Sequence, residues 1–135
     1  MGVLKLKLTI AYDGFQYKGW QVQKSGITVQ QKIEEALQKL FPSVDRVHSS
    51  SRTDTGVHAR GMVAHVEIEK DEYRIGELKL RLALNAFLPD DVSVLEVKRV
   101  PASFHARFDA TGKQYRYMIW NHPVSNPLTR HTSWH

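Results

Sequence analysis

A polar run between Ser50 and Gly61 holds the side chains of this sequence that are best suited to chemistry. Asp54 lies near its middle, with the guanidinium of Arg52 two residues before it and Gly56 two residues after it. Few residues of this run are typical of a hydrophobic core, so packing does not explain the carboxyl group. A cation nearby stabilises the ionised form of a carboxyl group. We therefore predict that Asp54 is held as a carboxylate and directed at a ligand.

Apolar spacing predicts the elements that position this run. Val3–Tyr12 alternates between apolar and polar residues, as a half-buried strand does. Thr28 begins a helix in a capping-box pattern with Gln31, and Pro42 ends that helix. The predicted set is a strand over 3–12, a helix over 28–40, strands over 45–51 and 62–68, a helix over 75–86, and strands over 92–100 and 114–120.

The second helix is the one ambiguous element. Leucines at every second position from Leu78 to Leu84 would suit a strand. However, the segment is rich in Leu, Ala, Lys, Arg and Glu and has no β-branched residue after Ile75, which favours a helix. Ile75, Leu78, Leu82 and Ala86 also have helical spacing. We predict a helix that carries this apolar stripe.

The order of elements is β-α-β-β-α-β with a further strand. It predicts an α+β fold, a ferredoxin-like split β-α-β sandwich in which helices cover one face of an antiparallel sheet. Folds of this kind serve both RNA-binding proteins and enzymes, so the architecture does not decide the function.

Composition narrows the class of protein. The chain has 135 residues, enough for one domain, and no cysteine, which excludes disulfides and thiolate metal sites. No apolar stretch approaches the ~18 residues of a membrane span, and no signal peptide is visible, so we expect an intracellular protein. The formal net charge of +5 suits either a polyanionic partner or a solvated basic surface. Basic residues that lie in or beside the segments of functional interest are Arg52, Arg60, Arg107, Lys113, Arg116 and Arg130.

Two motif matches are rejected on chemical grounds. Asp54-Thr55-Gly56 matches the aspartic-protease triplet, but a neighbouring arginine disfavours the shared proton which those enzymes need. His65 and Glu67 match the first part of a zinc deaminase signature whose remainder requires cysteines. We interpret His65 and Glu67 as one face of a strand.

Other residues admit two interpretations. His58 lies in the polar run, where a structural hydrogen bond is a more common role than metal ligation. Tyr115 and Tyr117 alternate with basic residues. They could be core residues, or they could form a platform on which bases stack beside phosphate contacts.

Three motifs, in this order along nearly the whole chain, resemble the bacterial tRNA pseudouridine synthases of the TruA type. The matching runs are Tyr12-Asp13-Gly14-Phe15-Gln16-Tyr17-Lys18-Gly19-Trp20-Gln21, then Arg52-Thr53-Asp54-Thr55-Gly56-Val57-His58-Ala59, then Phe104-His105-Ala106-Arg107-Phe108-Asp109-Ala110 with Tyr115-Arg116-Tyr117. The resemblance implies the pseudouridine synthase fold, half of it, because members of the family are about twice as long.

The resemblance also implies a reaction. Members isomerise uridine to pseudouridine in tRNA, at positions 38–40 of the anticodon stem-loop, without a cofactor or a metal. Asp54 corresponds to the catalytic aspartate, as a nucleophile or as a base. Arg52 would pair with Asp54 and help to bind substrate, and Tyr115 would stack on the target base. Gly56 would supply a positive φ beside the carboxylate.

The same resemblance implies an organisation and partners. Residues 1–121 would be the catalytic N-terminal domain, and residues 122–135 a connector to a second half-domain absent from this chain. The expected partner is tRNA, with no membrane, and the full-length form would be a cytoplasmic homodimer. The alternative is a non-catalytic RNA-binding half-domain that needs the missing half for activity. Candidate phosphate contacts are Arg60, Arg107, Lys113 and Arg116.

Overall fold

The computed structural model describes residues 2–134, and within them a single four-stranded sheet. Its strand order is β2-β3-β1-β4, and every neighbouring pair is antiparallel. This is a ferredoxin-like α+β sandwich, and the predicted fold class is confirmed. The elements in chain order are β1 (Val3–Tyr12), α1 (Val29–Leu40), β2 (Val47–Ser49), β3 (Ala59–Glu69), α2 (Glu77–Phe87) and β4 (Val92–Val100).

The core lies between the two helices and one face of the sheet. Alternate residues of β1, from Leu4 to Tyr12, are buried there, as a strand with one face on the core requires. Ile33 and Leu37 of α1 belong to the same cluster. Burying one such side chain contributes about 1.5–3 kcal/mol, so this layer provides much of the stability.

Helix α1 begins where the capping pattern predicts. The hydroxyl of Thr28 accepts a hydrogen bond from the Gln31 backbone N–H at 3.4 Å. The Gln31 side chain donates instead to Glu35, at 3.3 Å, so only half of the capping box is formed. The helix ends at Leu40, two residues before Pro42.

Helix α2 is confirmed as a helix, but the predicted apolar stripe is wrong. Leu80 and Leu84 are buried, whereas Leu78 and Leu82 are exposed by 71% and 65%. Both leucine pairs have i,i+4 spacing, so periodicity alone could not choose between them. The side chain of Asn85 fixes which helix face is buried, because it donates to the Val94 carbonyl and accepts from the Val94 N–H in β4, at 2.9 and 2.8 Å.

The predicted strand over 114–120 is not formed. Its only strand-like contact in the described chain is an isolated bridge between Ile119 and Trp134. Tyr117 is 89% exposed. A strand needs a neighbouring backbone for its hydrogen bonds, and this segment pairs with neither edge strand of the sheet. Alternation of side chains was therefore a misleading signal here.

The chain that follows β4 crosses the sheet face opposite the helices. Lys5, which points to that face from β1, donates hydrogen bonds to the carbonyls of Ala102 and Phe104, at 2.9 and 2.7 Å. Ala106 is buried against the same face, with 2% of its surface exposed. Between residues 2 and 134 there is no helix with the length and apolar character needed to cross a membrane.

Candidate active site and adjoining groove

The loop between β2 and β3, which carries the candidate carboxylate, is fastened to the loop that follows β1. The Thr53 side chain and the Tyr12 hydroxyl share a hydrogen bond of 2.6 Å. The Thr53 carbonyl accepts from the Trp20 N–H at 3.1 Å, and the Gly56 N–H donates to the Tyr17 carbonyl at 3.2 Å. Bonds on both sides of Asp54 therefore hold its backbone in place.

Asp54 itself faces solvent. Its carbonyl accepts from the Val57 N–H at 3.1 Å, which closes a turn through Gly56. Gly56 has φ +81°, so the predicted positive φ is confirmed. Nothing in the described range 2–134 hydrogen-bonds to the Asp54 side chain, and the expected ion pair with Arg52 is not formed. The carboxylate is exposed on a fixed backbone, free to meet a ligand.

Two glycines allow the two loops to approach backbone to backbone. A Cβ on Gly14 would lie 1.9 Å from the Val57 carbonyl oxygen. A Cβ on Gly19, which has φ +82°, would lie 2.6 Å from the Thr53 carbonyl oxygen. No side chain fits at either contact, so the glycines of the first motif serve the geometry of the second.

We expect Gly14→Ala to destabilise the protein by about 1–3 kcal/mol, because the methyl group collides with backbone that cannot retreat. Chemical unfolding monitored by tryptophan fluorescence measures the change. Gly61→Ala is the matched control, since its Cβ would meet Thr9 at an ordinary 3.7 Å. Equal stability of the two variants would show that the loops are not in contact in solution.

His58 has the structural role which we considered the more common one. Its Nδ1 accepts from the Gly14 N–H at 2.9 Å, and its Nε2 lies 2.6 Å from the His131 carbonyl. The same Nδ1 also lies 3.1 Å from a carboxylate oxygen of Asp13. The imidazole thus ties three segments together, and His131 in turn contacts the Phe15 ring at a centroid distance of 3.8 Å.

Tyr17 anchors the loop after β1 to the beginning of β4. Its hydroxyl donates to Asp91 at 2.5 Å, and the Asp13 N–H donates to the Asp91 carbonyl at 2.9 Å. Burial raises the pKa of the Tyr17 hydroxyl well above its usual value, and the bond to Asp91 raises it further. The phenol therefore stays protonated and keeps donating throughout the physiological range.

Tyr115 lies near Tyr12, whose hydroxyl is hydrogen-bonded to Thr53. Burial raises the pKa of Tyr12; the bond from Thr53 opposes the rise and the nearby Tyr115 phenol adds to it. Tyr115 is therefore close to the Tyr12–Thr53 pair that precedes Asp54. Tyr115 is 58% exposed and Tyr117 is 89% exposed, so the core interpretation of these tyrosines is excluded.

A groove of about 880 Å³ adjoins the β2–β3 loop. Arg52 lines the groove, whereas Asp54, two residues further along the chain, does not. Phe108 is 76% exposed on its wall. Among the described residues that line the groove there is no Asp or Glu, and the cations are Arg46, Arg52, Arg107 and Lys113.

Sequence reasoning found most of these cations. Arg107 and Lys113 were predicted as phosphate contacts, and both line the groove, whereas Arg60 and Arg116 do not. Arg46 was missed because a single arginine next to a short strand forms no pattern. Its neighbours in space, which only the tertiary structure shows, give it a place in this surface.

A buried polar network in α1 holds two walls of the groove together. Gln30 accepts from the Val22 N–H at 2.9 Å and donates to Glu34 at 2.8 Å. Glu34 accepts from the Val47 N–H at 3.0 Å and lies 3.6 Å from the Arg46 guanidinium. Buried polar groups with their bonds satisfied specify one arrangement of the chain. In the sequence, polar residues at buried positions of α1 are the pattern that could have indicated this network.

Three histidines, His48, His65 and His105, cluster on the sheet face opposite the helices. The rings of His48 and His65 are 5.0 Å apart, and those of His65 and His105 are 4.6 Å apart. Burial, together with smaller contributions from Lys5, His105 and His48, lowers the pKa of His65 to about 4. In the part of the chain that the structure describes, no group of three or more His, Asp or Glu side chains could hold a metal ion.

The depressed pKa of His65 predicts how stability changes with pH. The unfolded chain takes up the proton near pH 6.5, but the folded chain does so only near pH 4. The contribution of His65 is therefore complete above pH 6.5 and is lost as the pH falls toward 4. We expect urea unfolding at several pH values to show a steeper acid loss for the wild type than for His65→Gln. Parallel curves would contradict the assignment.

Fold and site together define a class of protein: an α+β domain whose exposed carboxylate, on a backbone held by hydrogen bonds, adjoins a cationic groove. The comparisons with known proteins agree. Residues 8–109 match the sequence profile described as tRNA pseudouridine synthase, and the chain belongs to that family.

Relatives named tRNA pseudouridine synthase A extend the match over nearly the whole chain. The chain is 48% identical over 133 residues to the protein of Geotalea daltonii, covering 96% of this chain and 52% of that protein. It is 46% identical over 131 residues to those of Ruminiclostridium cellulolyticum and Akkermansia muciniphila, covering 97% of this chain and 52% and 49% of theirs. The chain thus spans about half the length of these relatives.

Proposed function

We propose that this chain forms the catalytic half of a tRNA pseudouridine synthase that isomerises uridine at positions 38–40 of the anticodon stem-loop. The observation that carries the proposal is the exposed Asp54 carboxylate, fixed between the Thr53 and Gly56 backbone contacts and adjoining the cationic groove. Asp54 is the catalytic residue. Tyr115 stacks on the target uracil, and Arg52, which lines the groove, binds the RNA backbone.

The reaction breaks the bond between N1 of uracil and C1′ of ribose. The base rotates, C5 bonds to C1′, the proton on C5 leaves, and N1 takes up a proton. Atoms and electrons balance without an oxidant or a reductant, because the product is an isomer of the substrate. A carboxylate either attacks the ribose or removes a proton from it, and both roles need an accessible side chain such as that of Asp54.

Access to the uracil requires the nucleotide to leave its stack. Unstacking costs a few kcal/mol, and stacking on an aromatic ring contributes about 1–3 kcal/mol in return. Tyr115 is more than half exposed and can offer such a ring. Phosphate contacts from Arg107, Lys113 and Arg46 in the groove supply the remaining attraction.

The greater length of the relatives favours a second candidate function. Because the chain spans half of their length, residues 1–121 are a catalytic domain only if a second half-domain follows the connector at 122–135. Without that half, the chain is an RNA-binding module. In the full-length form we propose a cytoplasmic homodimer. Release of tritium from C5-labelled uridine in tRNA, assayed on this chain alone, separates the two functions.

Salt dependence tests whether the groove binds RNA. With four cations in the lining, log affinity for tRNA should fall by about 3 per tenfold rise in salt. Lys113→Gln should reduce this slope by about 1. Lys79→Gln, an exposed lysine on α2, is the matched control and should leave the slope unchanged. A slope near zero in the wild type would contradict RNA binding in the groove.

A further inference from the structure

The segment after β4 forms a turn over residues 104–109, and the hydrogen bonds of His105 stabilise this turn. The His105 N–H donates to the Asp109 carboxylate at 2.6 Å, and the Asp109 N–H donates to the His105 carbonyl at 2.9 Å. The His105 Nδ1 accepts from the N–H groups of Arg107 and Phe108, at 3.2 and 3.3 Å. These bonds give the turn a defined shape.

A second histidine fastens this turn to the sheet. The Ala106 N–H donates to Nδ1 of His65 at 3.0 Å, and both residues are 2% exposed. The His65 ring also meets the His105 ring edge to face at 4.6 Å. A buried N–H that loses its acceptor costs more than an ordinary hydrogen bond contributes, so the attachment at Ala106 depends on an unprotonated Nδ1.

The turn supplies two groups to the groove wall. Phe108 presents an exposed ring, and the guanidinium of Arg107 lies 5.9 Å from the centre of that ring. A planar face beside a cation is suited to one base and its phosphate. The Phe108 ring stacks on the His105 ring at a centroid distance of 4.2 Å, and His105 packs on His65. The position of Arg107 and Phe108 therefore follows from the attachment of the turn to His65.

We infer that His65 is a positioning residue for RNA binding. It holds the 104–109 turn against the sheet, so that Arg107 and Phe108 form part of the groove wall. This inference rests on the proposed function, because the groove needs that wall only for an RNA ligand. Lys5 holds the chain at Ala102 and Phe104, so loss of His65 releases the far part of the turn without detaching the whole segment.

Three variants test the inference. His65→Leu keeps apolar volume but removes the acceptor for the Ala106 N–H, whereas His65→Gln retains an acceptor. We expect His65→Leu to raise the rate of trypsin cleavage after Arg107 about tenfold, relative to other sites, and to weaken binding of an anticodon stem-loop RNA about tenfold. His65→Gln should recover most of both. Leu84→Ala, buried in α2, is a destabilised control and should raise all cleavages together.

Amide hydrogen exchange of the wild type gives a test that needs no variant. The Ala106 amide should be protected well above exposed loop amides, and fast exchange there would overturn the inference. Unchanged Arg107 cleavage and RNA affinity in His65→Leu would also overturn it. If the wild type binds no RNA, the proposed function fails and the inferred role in RNA binding fails with it; cleavage and exchange still decide whether His65 holds the turn.

Discussion

Asp54→Asn should leave the protein folded and able to bind tRNA, yet lower tritium release from C5-labelled uridine by a factor on the order of 10³ or more. An amide has the shape of the carboxylate but neither attacks a sugar carbon nor accepts its proton. Folding should be unaffected, because in residues 2–134 no hydrogen bond depends on the Asp54 side chain. The assay uses the complete product of the gene that encodes this chain.

Asp71→Asn is the matched control for this experiment, because Asp71 is exposed in the turn after β3, away from the groove. It should retain wild-type turnover. Normal turnover by Asp54→Asn would remove the catalytic assignment. Loss of tRNA binding together with turnover would instead point to a role in substrate binding, and the salt series on the same variant would reveal it.

Trp20→Ala is expected to have the largest effect on stability, a loss of about 3–5 kcal/mol. The Trp20 side chain is 1% exposed and stacks with Tyr12 at a centroid distance of 6.1 Å. It also lines the groove, and its backbone N–H binds the Thr53 carbonyl. Removal of the ring therefore leaves a cavity beneath the loop that carries the candidate carboxylate. Urea unfolding followed by circular dichroism measures the loss.

Trp134→Ala provides the comparison, since the Trp134 side chain is 73% exposed. Its substitution should change the free energy of unfolding by less than about 0.5 kcal/mol. A loss below about 1 kcal/mol for Trp20→Ala would show that this ring is not part of a close-packed core. The same variant should also lose tRNA affinity under conditions where it remains folded.

Local pattern was sufficient wherever a residue's role depends on its near neighbours in the chain. Val3–Tyr12 and Val92–Val100 are strands with the predicted bounds, because alternation on a one-sided sheet is a direct consequence of burial. Thr28 caps its helix because capping involves residues three apart. Gly56 has positive φ because few other residues tolerate it in a turn.

Local pattern failed to predict features that depend on contacts with a distant part of the chain. Leu78 and Leu80 belong to leucine pairs of equal spacing, and the bond between Asn85 and β4 selects which pair faces the core. Alternation at Tyr115–Tyr117 resembles a strand, but no neighbouring backbone pairs with it in the described chain. The groove, including Arg46 in its lining, is formed by residues far apart in sequence. The attachment of the 104–109 turn to His65 also joins distant segments.

The amino-acid order alone thus determined the four strands of the sheet, the two helices and a polar loop with one candidate carboxylate, because these follow from short-range periodicity and turn chemistry. Tertiary structure alone decided which helix face is buried, that the loop after β1 contacts the β2–β3 loop, and which cations share one surface with an exposed phenylalanine. The reason is physical: hydrogen bonds and packing between distant segments set distances that no short stretch of chain encodes.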